Sequence, residues 1–146
     1  MSEHRATVEW SRNGSDFKYE TYSRAHELRF EGLAVKGNAA PGNIPPSVKP
    51  EAGVDPEQAF VAALSSCHML WFLHIASRAG YVVDRYVDEA VGVLDKTWMS
   101  RVTLCPKVTF SGKAPSGEEH RALHHKAHEK CFIANSVKTE VRVEPC

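Results

Sequence analysis

At 146 residues the chain has the length of one domain, or of one protomer of an oligomer, and can bury a core without disulfides or metals. Its 18 basic and 18 acidic side chains cancel, which excludes a broad electrostatic footprint for nucleic acid or an anionic membrane. No apolar stretch follows Met1-Ser2-Glu3-His4-Arg5, so no secretory signal is read there, and the expected compartment is the cytosol, where thiols are usually kept reduced.

Residues 7–10, 17–22 and 27–35 are short runs with aromatic and β-branched side chains and predict three strands. Arg12-Asn13-Gly14-Ser15-Asp16 supplies turn chemistry between the first two. Prolines at 41, 45, 46 and 50 exclude a regular element across residues 37–53, which reads as a long surface loop. A helix start follows, with Asp55 as N-cap, Pro56 at the first helical position and Gln58 completing a capping box. This helix is expected to reach about residue 78 and to stop at Gly80. Its apolar side chains, among them Phe60, Leu64, Leu70, Trp71, Phe72 and Ile75, point to every side, which is the pattern of a buried helix.

Residues 59–77 hold no Asp, Glu, Lys or Arg over 19 positions, which raises a transmembrane reading. Ser65, Ser66, His68, His74 and Ser77 interrupt that stretch, and the central helix of a soluble core is the preferred reading. At ~1.5 Å per residue such a helix is roughly 35 Å long, more than one small domain covers, so a second chain is expected to complete its burial in an intimate homodimer. Residues 86–94 and 102–110 return to strand composition. Ser116 with Glu119 forms a capping box for a second helix that ends near Cys131. In residues 136–143, Val137, Thr139, Val141 and Val143 alternate with Lys138, Glu140 and Arg142, a half-buried strand. The expected fold is a single α+β domain over residues 1–146, with one long helix packed against antiparallel sheet.

Four cysteines, Cys67, Cys105, Cys131 and Cys146, make neither a CxxC nor a zinc-finger spacing. Cys67 lies mid-helix within Ser65-Ser66-Cys67-His68 and reads either as a small buried hydrophobe or as a thiol to which the fold brings a cation. Cys131 sits at a helix end, where a thiol can be approached, and two cysteines on different elements can serve as an attacking and a resolving pair. Glu57 suits the first turn of the helix as a dipole-complementing acid, or it orients an arginine. Along one helix Glu57 and Cys67 stand roughly 15 Å apart, so a site using both takes Glu57 from a partner chain. His120, His124 and His128 recur every four residues, which fits a solvated helix face or a metal pair; the solvated face is preferred.

Asp55-Pro56-Glu57-Gln58-Ala59-Phe60, then Ser66-Cys67 ten residues after the glutamate, then Ala127-His128-Glu129-Lys130-Cys131 followed by Asn135-Ser136, together resemble the OsmC/Ohr family of peroxide-detoxifying proteins, from about Trp10 to the C-terminus. The resemblance implies an OsmC-like α+β fold: an intertwined homodimer with long central buried helices packed against antiparallel sheets, its active sites formed by both subunits. It implies that Cys67 is the peroxidatic thiolate, Cys131 the resolving thiol and Glu57 the carboxylate that fixes an arginine, with Arg24 preferred for that arginine and Arg12 second. The implied activity is reduction of organic hydroperoxides to alcohols through a Cys67 sulfenic acid and a Cys67–Cys131 disulfide. An external dithiol, of lipoyl type or another thiol, then reduces the pair, and no metal or organic cofactor is required. The residue after the peroxidatic cysteine is usually apolar in that family and is His68 here, for which a hydrogen bond in the core is preferred over a charge on the thiol. Cys105 and Cys146 are expected to stand outside catalysis. The alternative is a non-catalytic OsmC-like protein that binds a small molecule or senses redox state.

Overall fold

In the computed structural model, which describes all 146 residues, the chain opens on a three-stranded antiparallel sheet of β1 (Thr7–Glu9), β2 (His26–Phe30) and β3 (Leu33–Gly37), in that order. This sheet belongs to the first of two units, residues 1–59; the second comprises residues 60–146. The run at 27–35 is a hairpin rather than one strand. Phe30 pairs with Leu33 across a two-residue connection in which Gly32 takes φ 74°, a conformation that favours glycine. Residues 17–22 are turns, not a strand. Their aromatic content serves a ring cluster instead: Phe17 and Tyr22 pack at 5.0 Å between centroids, with Trp10 at 5.7 and 6.0 Å from them. The backbone of this segment closes on itself, the N–H groups of Thr21 and Tyr22 both donating to the Lys18 carbonyl.

The proline-rich segment contains one short 3₁₀ turn, Pro41–Asn43, and is pinned at both ends. The buried Asn38 side chain donates to the Glu51 carbonyl at 2.8 Å, and Val54 N–H donates to Lys36 O at 2.9 Å. Helix α1 (Pro56–Arg78) then starts at the expected capping box: Gln58 N–H donates to the Asp55 carboxylate at 2.7 Å, and Asp55 N–H donates to the Gln58 side chain at 3.2 Å. It stops in a Schellman turn, where Gly80 has φ 83° and Tyr81 N–H reaches back to Ala76 O at 3.0 Å.

The second unit adds β4 (Val82–Asp88), β5 (Val91–Asp95), β6 (Trp98–Leu104), β7 (Pro106–Ser111), helix α2 (Gly117–Lys130) and β8 (Glu140–Val143). β4 pairs antiparallel with β7, and β5-β6-β8 forms a separate sheet in which β8 runs parallel to β6. The stretches 86–94 and 102–110, each expected as one strand, are therefore each broken and shared between two sheets. At the second break the Cys105 N–H leaves the ladder and donates to Asp88 Oδ1 at 2.7 Å, which ties the two breakpoints together. β8 is shorter than residues 136–143 because a 3₁₀ turn at Ala134–Ser136 and a bend at Lys138-Thr139 precede it. The capping box of α2 is present as read, with Glu119 N–H on Ser116 Oγ and Ser116 N–H on the Glu119 carboxylate.

Two apolar clusters hold this unit. One joins Phe72, Ala76, Tyr81, Leu123 and Ala127; the other joins Leu64, Val102 and Leu104. β5 approaches α1 so closely that a Cβ on Gly92 would meet Val61 and Met99 side-chain carbons at 2.5 Å. Within the chain α1 is buried along one stripe only, Leu64, His68, Phe72 and Ala76, at intervals of four. Its other apolar side chains are partly open, and Leu70 is 63% exposed, which corrects the expectation of burial on every side. By length and composition alone α1 is apolar enough to cross a membrane.

Candidate active site

α1 carries Cys67 at mid-length, half-exposed and reduced. The preceding turn is tethered: Ser65 Oγ donates to Asp88 Oδ2 at 2.5 Å, and the same carboxylate accepts the Cys105 amide. Cys131 caps the C-terminus of α2 at 1% exposure, with its own N–H on His128 O at 3.2 Å. The turn that follows wraps back over it: Ala134 N–H donates to Cys131 Sγ at 3.4 Å, and Asn135 N–H to Cys131 O at 3.0 Å. Burial, reinforced by the neighbouring Cys67 thiol, pushes the Cys131 thiol up to about 11. α1 and α2 thus bring the two free thiols within interaction range of each other, one reachable from solvent and the other sealed and protonated at neutral pH.

In the first unit, Arg24 donates to Tyr22 O at 2.6 Å and to Tyr19 O at 2.7 Å, and its guanidinium lies 3.6 Å above the Tyr22 ring centroid. It borders an apolar cleft of about 490 Å³ shared with Val8, Trp10, Phe17 and Tyr22. Glu57, in the first turn of α1, has a buried Oε2 with no hydrogen-bond partner. No ion pair joins Arg24 to Glu57. Arg12, the second candidate, donates to Ser15 O at 3.0 Å and closes its own turn.

His120, His124 and His128 of α2 do not form a solvated face. His124 is 2% exposed, and its Nδ1 shares a hydrogen bond with Nε2 of the equally buried His68 at 3.0 Å. Its Nε2 shares another with His120 Nε2 at 3.2 Å. His68 is therefore held in the core by a hydrogen bond, as preferred. Burial drives His68 down to about 4, with His128 adding to the effect, and His124 down to about 3, with His68 and His120 adding. Sequence spacing misleads here because the partner that buries His124 lies 56 residues away on α1.

Sequence reading also left Cys105 and Cys146 without a role, and the structure joins them in a disulfide with Cα atoms 5.4 Å apart. The parallel register of β8 on β6 brings them together: Leu104 pairs with Val143, and Cys146 N–H extends the ladder onto Pro106 O at 3.1 Å. No feature of the sequence announces a parallel pairing between strands so far apart.

Two helices with antiparallel sheets, and paired free thiols on the two helices, are the features of an OsmC-like protein. The family model described as OsmC-like protein matches residues 49–145, and the chain belongs to that family. Over the full length of both chains it is similar to an OsmC-like protein of unknown function from Vibrio cholerae O1, at 49% identity and a TM-score of 0.93. It shares the fold of the organic hydroperoxide resistance protein OhrB of Bacillus subtilis, at 19% identity and a TM-score of 0.69 over 99% of this chain and 98% of that one. It also shares the fold of an organic hydroperoxide resistance protein from Legionella pneumophila, at 19% identity and a TM-score of 0.65 over 99% and 96%. No curated protein sequence matches it.

Proposed function

We propose that the chain is a thiol peroxidase that reduces organic hydroperoxides to alcohols. The observation that carries this reading is the division of labour between the two free thiols: Cys67 is accessible, while Cys131 beside it is buried and held protonated. A protonated thiol does not compete for peroxide, so attack falls to Cys67. The Cys67 thiolate attacks the outer oxygen of ROOH, the O–O bond breaks, the alkoxide takes up a proton and leaves as alcohol, and a sulfenic acid remains on Cys67. Cys131 then condenses with it, expelling water and closing the disulfide. An external dithiol of lipoyl or similar type reopens the bond by exchange.

Glu57 and Arg24 complete the proposed site. The unpartnered Glu57 oxygen calls for a cation, and a guanidinium supplies one with fixed geometry. Arg24 reaches that role by giving up its carbonyl bonds when a second chain assembles. The uncovered apolar side of α1 supports an intertwined homodimer with shared sites, residues 1–146 acting as one OsmC-like domain in the cytoplasm. Reduced protein is expected to consume cumene hydroperoxide and lose two thiols per peroxide. Cys67→Ser should abolish consumption, and Cys131→Ser should leave a sulfenic acid that dimedone traps. Consumption that survives Cys67→Ser ends the reading.

The aromatic cleft beside Arg24 favours a second reading, a non-catalytic small-molecule binder. Oxidation of the thiol pair without turnover under excess dithiol would select it.

A further inference from the structure

The resolving thiol poses a problem that the peroxidase chemistry does not solve. Cys131 must lose a proton before it can attack, yet it is 1% exposed. The groups facing this region are few. α1 offers Cys67 and His68; α2 offers His120, His124 and His128, with Arg121 and His125 beside His124 along a cleft; β4 offers Tyr86, whose buried hydroxyl has no partner, and Asp88 next to it. None of His68, His120, His124 and His128 bonds a carboxylate; among the α2 histidines only the exposed His125 does, with Glu129. Burial and the lack of a carboxylate partner together keep the chain His68–His124–His120 neutral.

A neutral imidazole carries one N–H, so three rings hydrogen-bonded in series have only two arrangements. Either every N–H points outward toward His120 or every one points inward toward His68. The inner terminus is His68 Nδ1, buried without a partner on the residue next to Cys67; His128, three residues before Cys131, has a second such nitrogen. The outer terminus, His120, is half-exposed. We infer that His68, His124 and His120 form a proton relay linking the Cys67–Cys131 thiol pair to solvent.

Written out, the proton that Cys131 loses enters the chain at His68 Nδ1. His68 passes its Nε2 proton to His124 Nδ1, His124 passes its Nε2 proton to His120 Nε2, and His120 releases its Nδ1 proton to water. One proton enters and one leaves, and each ring finishes in its other neutral tautomer. The Cys131 thiolate then attacks the sulfur of Cys67, and hydroxide leaves and takes up a proton as water. The return proton resets the relay. This inference rests on the thiol-pair reading but does not require that peroxide be the oxidant. His120, His124 and His68 are positioning residues for proton movement.

The test uses hydroxyethyl disulfide, a neutral oxidant of dithiols, in place of peroxide. It takes the two electrons of Cys67 and Cys131 and leaves as two thiols, so the proton still has to escape from Cys131. His120→Phe is the informative variant, since His120 already packs edge-on against Phe72 and Phe110 at 5.9 and 5.8 Å and a phenyl ring keeps those contacts. Closure of the Cys67–Cys131 disulfide near pH 7 is expected to slow about a hundredfold in His120→Phe and in His124→Phe, the low end of what assisted proton transfer contributes. The rates should converge with the parent at alkaline pH, where hydroxide removes the proton, and added imidazole should restore part of the rate to His120→Phe. pH–rate profiles that superimpose on the parent in both variants overturn the relay and leave a structural histidine cluster. Cumene hydroperoxide consumption is measured in parallel: its failure while the His120→Phe effect stands removes the peroxidase reading alone.

Discussion

His68 and His124 lie end to end in nearly one plane, with an interplanar angle of 5° and centroids 5.3 Å apart, joined by their hydrogen bond, and His124 also stacks on Phe72 at 4.2 Å. The fold holds them neutral, His68 at about 4 and His124 at about 3, against the usual imidazole value near 6.5. Below pH 6.5 the unfolded chain takes up a proton at each ring that the folded chain refuses. Their contribution to stability is therefore complete above pH 6.5 and is lost as the pH falls toward the folded values. The thermal midpoint should drop steeply between neutral pH and pH 4.5, and His124→Phe should reduce that dependence by about one proton in the linkage slope. A midpoint equally pH-dependent in His124→Phe would show the acid transition to lie elsewhere. The positions of Cys67 and Cys131 were legible in the sequence because each sits in a local motif on a helix whose limits can be read. The histidine chain was not, since a four-residue repeat of polar residues looks solvated until the covering helix is known.

At the scale of elements, helices were readable because their ends are written in side-chain chemistry. Asp55 and Ser116 each make both bonds of a capping box, and Asp55→Ala or Ser116→Ala should cost about 1 kcal/mol in denaturant unfolding. Phe72 is fully buried where α1 meets Tyr86 and Phe110, so Phe72→Ala should cost about 3–5 kcal/mol. Strand composition was legible too, but not strand ends. The breaks at Glu89-Ala90 and at Cys105 arise from a tertiary bond between Asp88 and the Cys105 amide, and composition carries no trace of it. Residues 17–22 failed as a strand for a related reason: aromatic side chains favour sheets and ring clusters alike, and only the position of Trp10 decides between them.

For the molecule as a whole, α1 exposes apolar side chains, Leu70 foremost, and the proposed homodimer would cover them. Sedimentation should therefore report a species of two chains, and Leu70→Glu should weaken the assembly by placing a charge in its interface. A monomer at micromolar concentration would remove the shared-site reading. The C-terminus adds a different constraint. Because Cys146 is bonded to a residue 41 positions earlier, the backbone between them is a covalent hoop that includes α2, β8 and Cys131. Closing a hoop of that length restricts the unfolded chain by the equivalent of about 4 kcal/mol. A reductant supplied to refresh the working thiols thus meets a second, structural bond, and overdosing it slackens the segment that presents Cys131. Turnover plotted against dithiothreitol should climb, crest and decline, whereas Cys146→Ser, with no hoop to lose, should climb to a plateau.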